Sequence, residues 1–183
     1  MTPHHTERLV LRGWRPADRE PFAALNGDPL VMEHFPKVLS RAESDASADR
    51  VEAHFERHGF GPWAVEVQGG APFIGFVGLL QVGFEAPFTP AVEVLWRLSR
   101  SSWGQGYATE AAREVCRIAF EELGLPALVT FTVPANRRSR AVMERLGMTY
   151  DPGEDFEHPN LPEGHALRRH VLYRLSAAQW RQR

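Results

Sequence analysis

The sequence predicts a mixed α/β fold, of the α+β class, in a single domain that covers residues 1–183. Two β-like runs at 63–67 and 73–79 flank a Gly-Gly turn and predict a β-hairpin. An amphipathic helix at 108–123 comes later and is followed directly by a β-branched run at 127–133. A chain of 183 residues that mixes strands and helices in this way is typical of one domain.

The first third of the chain predicts one strand and two helices. Residues 6–12 mix apolar and charged residues in a short β-like run and predict the first strand. Pro16, which acidic residues follow, marks the start of a helix whose Phe22 and Leu25 face inward. The polar segment 41–58 carries apolar residues at near-helical spacing and predicts a surface helix.

The second half of the chain predicts three strands and two helices. The strands are expected at 91–98, 127–133 and 170–175. Asn136 is a suitable N-cap for a short helix that ends near Leu146. The long helix before it has an apolar stripe spaced i, i+3, i+4, i+7, which consists of Ala108, Ala111, Ala112, Val115, Cys116, Ala119, Phe120 and Leu123.

Composition and charge exclude several classes of partner. A formal net charge of −2 gives no electrostatic reason to expect nucleic acid or an anionic membrane. No apolar run approaches the roughly 18 residues that span a bilayer, and the N-terminus lacks the apolar core of a signal peptide. The single Cys116 cannot form an internal disulfide, which fits a reducing compartment. We therefore expect a cytoplasmic protein that binds neither nucleic acid nor membrane.

A glycine-containing segment joins the strand at 91–98 to the alanine-rich helix. Glycine lets a backbone approach a ligand without a Cβ, and the first N–H groups of a helix are unpaired and carry partial positive charge. These features predict a phosphate or pyrophosphate site, with a plain glycine turn as the alternative. The segment is neither a Walker loop nor a dinucleotide fingerprint. Its residues are Trp103, Gly104, Gln105, Gly106, Tyr107, Ala108 and Thr109.

Three segments, in the same order along the chain, resemble one protein family. The run WGQGYATEA at 103–111 resembles the pyrophosphate-binding segment of the GNAT superfamily of N-acetyltransferases, with Trp103 where the general pattern has Gln or Arg. That tryptophan, the run TERLVLRGWRPAD at 6–18 and residues 136–148 are similar to the branch of ribosomal-protein N-terminal (alanine and serine) acetyltransferases. The likeness extends from residue 6 to about residue 150.

The resemblance implies a central, mostly antiparallel twisted sheet that is flanked by helices and contains one splayed pair of parallel strands, 91–98 and 127–133. It implies acetyl-CoA as the cofactor. Splayed strands leave backbone groups that need partners, and these would bond the pantetheine arm beside Leu98. The amides from Gly104 to Thr109 would hold the pyrophosphate. The resemblance leaves the oligomeric state open and is compatible with a homodimer.

The resemblance also implies roles for two residues of the short helix. Asn136 would hold the pantetheine arm, and Ser139 would donate a hydrogen bond to the departing thiolate. Capping of the helix is the alternative for both residues. Many GNAT enzymes place a tyrosine, as the general acid, four residues beyond Ser139. Met143 occupies that position here, so Ser139 is the nearest replacement.

The acceptor side has candidates of its own. Glu93 shares one strand face with Leu95 and is either a solvated edge charge or the base that takes a proton from an ammonium acceptor. The loop at 151–165 is rich in acidic residues and histidine, which are either solvated or attract a cationic amine. From this loop we take His158 and His165 as candidate acceptor contacts.

Trp63, His170 and Cys116 complete the set of singled-out residues. Trp63 is expected in the core or in the wall of the cleft, and we include it among the candidate acceptor contacts. His158, His165 and His170 match no standard zinc spacing, so we expect no metal. Cys116 belongs to the apolar stripe and is expected to be structural.

These features predict an N-acetyltransferase that moves an acetyl group from acetyl-CoA to a primary amine by direct attack, without a covalent enzyme intermediate. A backbone amide near Leu98 would polarise the thioester carbonyl. Two acceptors remain open, the amine at a protein N-terminus and a small amine. The alternative from another functional class is a GNAT-like module that binds acyl-CoA without turnover. This alternative stays open because Met143 occupies the position at which many GNAT enzymes have the tyrosine.

Overall fold

The computed structural model describes residues 2–182. The helices are α1 (Arg19–Gly27), α2 (Arg41–His58), α3 (Tyr107–Arg117), α4 (Arg137–Arg145) and α5 (Ala177–Arg181). The strands are β1 (His4–His5), β2 (Leu9–Arg12), β3 (Pro62–Val67), β4 (Gly75–Gln81), β5 (Val92–Leu98), β6 (Ala127–Thr132), β7 (Thr149–Tyr150), β8 (Phe156–Glu157) and β9 (Arg169–Ser176). None of the helices in the described part of the chain is long and apolar enough to cross a membrane.

The strands form a sheet in which β5 and β6 are the parallel neighbours. The order is β1-β2-β3-β4-β5-β6-β9-β7, and β8 pairs with β9. β4 pairs with β5 over its whole length, from Gly75 to Gln81. Within residues 2–182, β5 and β6 pair at one position, Glu93 with Val129, and then diverge. The predicted fold class, a mostly antiparallel sheet with one splayed parallel pair and flanking helices, is confirmed.

Apolar layers hold helices against both faces of the sheet. On one face the stripe of α3 packs onto β4 and β5, and its Ala111, Ala112 and Cys116 are fully buried. Small side chains at these positions let the helix backbone lie close to the strands. On the other face Phe22 of α1 packs against Phe76 of β4. The sheet therefore separates an α3 side from an α1 side.

The predicted helix at 41–58 has the predicted ends. Ser40 caps it, because its hydroxyl oxygen accepts a hydrogen bond from the amide of Glu43. At the other end Gly59 has a left-handed backbone, which terminates the helix. Both signals are local, so the sequence alone was enough to place this helix.

Other predicted elements differ in extent from the structure. The first strand begins at Leu9 rather than Thr6, because residues 6–9 form a turn in which the amide of Thr6 donates to the carbonyl oxygen of Leu9 at 3.0 Å. The helix predicted at 108–123 is α-helical only to Arg117 and continues as a π-helical turn. β1, β7, β8 and α5 were not predicted, because elements of two to five residues leave no periodic pattern.

A buried ion pair joins β2 to the turn that precedes α1. The guanidinium of Arg12 donates to both carboxylate oxygens of Asp18, at 2.7 and 2.9 Å, and the two residues are 4% and 3% exposed. Its Nε–H donates to Glu66 of β3 at 2.8 Å. Loss of Asp18 would leave the buried guanidinium with Glu66 as its remaining carboxylate partner, and loss of Arg12 would remove the cation from the buried carboxylate of Asp18. The pair therefore fixes the position of α1 on the sheet.

Replacement of Asp18 by alanine is expected to lower the free energy of unfolding by about 3–5 kcal/mol, because Arg12 would remain buried without its bidentate partner. Urea denaturation measures this change. Asp49→Ala is the matched control, since Asp49 pairs with Arg19 at 2.6 Å near the surface, and exposed pairs contribute about 1 kcal/mol or less. Equal losses in the two variants would contradict the expectation.

Candidate active site

A cavity of about 1450 Å³ lies where β5 and β6 diverge. Successive residues of β5 line it from opposite faces of the sheet. Trp96 and Leu98 belong to the α3 side, whereas Glu93, Leu95 and Arg97 belong to the α1 side. The cavity is therefore open to both sides of the sheet.

On the α3 side, the segment 103–109 has the geometry of a phosphate-binding loop. Gly104 and Gly106 have φ angles of 75° and 81°, which residues with a Cβ rarely adopt. The first hydrogen bond of α3 runs from the amide of Glu110 to the carbonyl oxygen of Gly106. The amides at 107–109 have no helical partner and are available to an anion. The loop residues that line the cavity are Trp103, Gly104, Gly106, Tyr107, Ala108 and Thr109.

Trp103 attaches this loop to the end of β5. Its indole N–H donates to the carbonyl oxygen of Leu98 at 2.9 Å, and the guanidinium of Arg138 lies 4.2 Å from its ring centroid. Gln105 is exposed, its side chain donates to the carbonyl oxygen of Ser101 at 3.2 Å, and it does not line the cavity. The structure therefore leaves its backbone, not its side chain, as a candidate for cofactor binding.

Arginines that were not predicted as site residues line the cavity, and two of them, Arg8 and Arg138, contact rings of the loop. Arg8 lies 4.7 Å from the ring centroid of Tyr107 and pairs with Glu110 at 2.6 Å. Guanidinium groups match phosphate in charge and geometry. They come from three separate segments, so nothing in the sequence signals their convergence. The arginines that line the cavity near α3 and α4 are Arg8, Arg113, Arg117, Arg138 and Arg145.

The edge of β5 that faces β6 is open beyond Glu93. Within the described residues no further pairing joins the two strands, and the cavity separates Trp96 and Leu98 from Thr130 of β6. Backbone N–H and C=O groups at such an edge need partners. An extended ligand with amide groups supplies them. The open edge, the glycine loop and the arginines thus fit the pantetheine arm and the phosphates of acetyl-CoA.

Ser139 lies in the first turn of α4. The predicted N-cap is confirmed, because the side-chain oxygen of Asn136 accepts from the amide of Ser139 at 3.2 Å. The Asn136 side-chain nitrogen donates to Thr132 at 3.0 Å. Ser139 Oγ accepts from the indole N–H of Trp96 at 3.0 Å, so its own O–H remains available as a donor. Both Asn136 and Ser139 line the cavity, and their contact with the cofactor stays a prediction.

Met143 cannot take the place of a general acid. It is fully buried in the core and does not line the cavity. Its thioether has no proton to donate. Ser139 is therefore the hydroxyl on α4 that is placed to assist a leaving group.

Glu93 stands at the point where the two strands part. It pairs with Val129 through the backbone, and its side chain lines the cavity. Burial raises the pKa of its carboxyl group to about 8, because no cation or hydrogen-bond donor in residues 2–182 compensates for the loss of water. A carboxyl group with a pKa near neutrality is suited to exchange a proton with a ligand in the cavity.

Aromatic rings form one wall of the α1 side. The ring centroids of His158 and His170 lie 5.1 Å apart, and burial lowers the pKa of both imidazoles. Both rings are therefore neutral at pH 7. Phe131 of β6 lies 6.1 Å from His158 and 6.0 Å from His170. The structure places His158 in the cavity, and its contact with an acceptor stays a prediction.

Two candidate acceptor contacts lie outside the cavity lining. Trp63 is 3% exposed and packs in the core, between the rings of Phe55 and His4. The alternation of β3 turns its side chain inward. His165 lies beyond the lining as well, and its Nδ1 accepts from the amide of Leu167 at 3.1 Å. The structure therefore does not bring Trp63 and His165 together with the other candidate acceptor contacts, and their contact with an acceptor stays a prediction.

Acidic residues before β9 are paired with arginines. Glu154 pairs with Arg174 at 2.7 Å, and Asp155 pairs with Arg169 at 2.9 Å. Neither carboxylate lines the cavity, so the idea that they attract the acceptor is not supported. In residues 2–182, no group of three His, Cys, Asp or Glu side chains is arranged to hold a metal ion.

The fold and the site together define an acyltransferase that uses a coenzyme A thioester. Residues 8–149 match the family model of the acetyltransferase (GNAT) domain. The chain therefore belongs to the GNAT acetyltransferase family, and it is an acetyl-CoA-dependent N-acetyltransferase.

Proteins similar to this chain are named as acetyltransferases. An FsC-acetyl coenzyme A-N(2)-transacetylase of Aspergillus fumigatus is 33% identical over 96% of this chain and 77% of its own length. An acetyltransferase of Agrobacterium tumefaciens is 28% identical, with a TM-score of 0.76 over 96% of this chain and 94% of its own. A ribosomal L7/L12 α-N-protein acetyltransferase, solved with coenzyme A, shares the fold, with a TM-score of 0.75 at 16% identity over 95% and 97% of the two chains.

Gly106→Asp is expected to weaken acetyl-CoA binding by about tenfold or more. The new carboxylate would repel the pyrophosphate, and the left-handed backbone at φ 81° would be strained. Isothermal titration calorimetry measures the affinity. Gly59→Asp is the matched control, because Gly59 has a φ of 75° at the end of α2 and does not line the cavity. It should bind acetyl-CoA as the wild type does. Unchanged affinity in Gly106→Asp would refute the phosphate-binding role of the loop.

Proposed function

We propose that this chain transfers the acetyl group of acetyl-CoA directly to a small primary amine that binds on the α1 side of the cavity. The observation that carries the proposal is the position of Glu93. Its carboxyl group has no cationic partner in residues 2–182 and stands where the two sides of the cavity meet. A coenzyme arm that lies along β5 from the loop at 103–109 would reach toward this point from the α3 side. The amine would approach from the opposite side, in the orientation that direct attack requires.

Glu93 is the proposed base. When bound, acetyl-CoA supplies the acetyl group as a thioester, and only an unprotonated amine can attack it. Glu93 accepts the proton that the ammonium group must lose, directly or through a water molecule. With a pKa of about 8, the proton affinity of Glu93 is closer to that of an amine than the proton affinity of an ordinary carboxylate is.

Two groups on the α3 side assist the departure of the thiolate. Ser139 donates a hydrogen bond to the sulfur as the C–S bond breaks, and the thiolate takes the proton that the attacking nitrogen loses. The hydrogen bond that the Ser139 oxygen accepts from Trp96 at 3.0 Å orients the hydroxyl and strengthens it as a donor. A backbone amide on the open edge of β5, between Glu93 and Leu98, donates to the thioester carbonyl oxygen and stabilises the charge that develops there. No side chain forms a covalent intermediate in this scheme.

The walls of the α1 side favour a small amine over a protein N-terminus. The segment between α1 and α2 lines this side with Leu30, Val31 and Phe35, and the segment before β9 lines it with Leu161 and Leu167. These two segments limit the space that is available to an acceptor on the α1 side, which favours a small molecule over a protein chain. The name of the Aspergillus fumigatus relative describes acetyl transfer to an N(2) nitrogen, and we propose a nitrogen acceptor here as well.

Thiol release from acetyl-CoA tests the class of acceptor. We expect release with a pool of small primary amines, with the acetylated amine identified by mass spectrometry. Short peptides with free N-termini form the second pool, and the same peptides with blocked N-termini are the control. Release with the unblocked peptides alone would contradict the proposal of a small amine and would identify the acceptor as a protein N-terminus. Binding of acetyl-CoA without release in either pool would favour a non-catalytic acyl-CoA-binding module.

The pH profile tests the role of Glu93. The ratio of kcat/KM between the wild type and Glu93→Gln is expected to rise with pH and to level off above about 8, since the base acts only after it has lost its proton and its pKa is about 8. The acceptor's own titration is common to both proteins and cancels. At the plateau the ratio should reach about 100, a usual contribution of a general base. Glu56→Gln, at an exposed position of α2, is the control. A ratio near one at every pH would exclude Glu93 as the base.

A further inference from the structure

Arg97 places a guanidinium group on the α1 side of the cavity without an acidic partner. It shares one face of β5 with Glu93 and Leu95, and all three residues line the cavity. Burial lowers the pKa of the guanidinium to about 10, and no acidic group in the described chain counteracts this effect. At neutral pH the group is therefore a cation that is partly covered by protein and borders the cavity.

Neutral partners hold this guanidinium in place. Its Nη1 donates to the side-chain oxygen of Asn26 at 2.6 Å, and the side-chain nitrogen of Asn26 donates to Ser44 Oγ at 2.9 Å. Asn26 and Ser44 are fully buried. The ring centroids of Phe35 and Phe76 lie 4.1 and 5.4 Å from Cζ of Arg97. These contacts fix the position of the arginine without giving it a negatively charged partner.

Most of the hydrogen-bonding capacity of Arg97 is unused. A guanidinium has five N–H groups, and within residues 2–182 the bond to Asn26 is the one that Arg97 makes, while its buried Nε–H has no acceptor. Arg12, by contrast, is buried with the carboxylate of Asp18 in a bidentate pair. A buried cation is costly unless an anion accompanies it. A fixed but unpaired guanidinium at a cavity wall is therefore suited to receive an anion from a ligand.

We propose that Arg97 binds a carboxylate group of the acceptor, so that the acceptor is a primary amine that also carries a carboxylate. This inference rests on the proposed function, in which the amine lies at Glu93. The two residues are four positions apart on one face of β5, which separates their Cα atoms by roughly 13 Å. An acceptor with a cationic and an anionic end would complement both side chains. One guanidinium matches the single charge of a carboxylate, and the other arginines that line the cavity belong to α3, α4 and the segment before β2.

Matched pairs of acceptors test this inference. Each pair consists of an α- or ω-amino acid and the primary amine with the same skeleton but without the carboxyl group. Carbon chains of increasing length cover the distance between Glu93 and Arg97. For at least one pair, the wild type is expected to have a kcat/KM for the amino acid about 10- to 100-fold higher, the range of hydrogen bonds to a charged group. A ratio near one for every pair that is acetylated would overturn the inference.

Two variants change the charge of the site in different ways. Arg97→Gln should bring the ratio within each pair close to one, whereas Arg50→Gln, at an exposed position of α2 outside the cavity lining, should keep the wild-type ratio.

Asn26→Asp leaves Arg97 in place but gives it an internal carboxylate at the position of the present 2.6 Å hydrogen bond. It should abolish the preference for amino acids while raising Tm. An unchanged ratio in Asn26→Asp would reduce Arg97 to a structural role.

Calorimetry separates this inference from the proposed function. The same amino acids and amines are titrated into the wild type and Arg97→Gln, both loaded with coenzyme A, so that no turnover is needed. Tighter binding of the amino acids, lost in Arg97→Gln, would support the carboxylate site even if thiol release fails. Equal binding of both members of every pair would overturn it even if amines are acetylated.

Discussion

The pairing of Glu93 in β5 with Val129 in β6 is the constraint on which the rest of this structure depends. Parallel strands need a long crossover between them, and α3 provides it. Because the two strands meet at one position and then separate, β5 keeps an open backbone edge directly before the glycine loop that starts α3. The same divergence opens the sheet from one face to the other. A thioester and an amine can therefore approach one point from opposite sides, which a fully paired sheet would not allow.

Glu93 and Arg97 differ from the charged groups that are buried away from the cavity. Away from the cavity, buried charges are matched, as in the bidentate pair of Arg12 with Asp18. Glu93 and Arg97, in contrast, are carried on one strand face without an ionic partner in residues 2–182. Folding bears the cost of desolvating both groups. Such a cost is expected where a ligand supplies the missing partners of buried charged groups. Glu93 and Arg97 both lie on the α1 side, opposite to the loop at 103–109.

The helix cap and the proposed catalytic hydroxyl lie together in the first turn of α4. Asn136 caps this helix and also ties it to Thr132 of β6, so that the helix start follows the diverging strand. Ser139 takes part in the same cap through its backbone and keeps its hydroxyl for the cavity, where Trp96 of β5 orients it. For Asn136 and Ser139 the sequence left two alternatives, capping of the helix and a role at the active site. The structure shows that the two roles are compatible.

The sequence by itself determined the features that depend on neighbours along the chain. The apolar stripe of α3, the two glycines before it and the cap of Asn136 follow from local geometry. Together with the resemblance of three segments to the GNAT superfamily they predicted the fold class, and they indicated the loop at 103–109 as a candidate phosphate site. The tertiary structure alone decided which residues face the cavity. It placed Trp63 in the core, paired Glu154 and Asp155 with arginines of β9, and left Arg97 without a counter-ion in residues 2–182. Burial and ion pairing depend on residues that are distant in the sequence, and no local pattern encodes them.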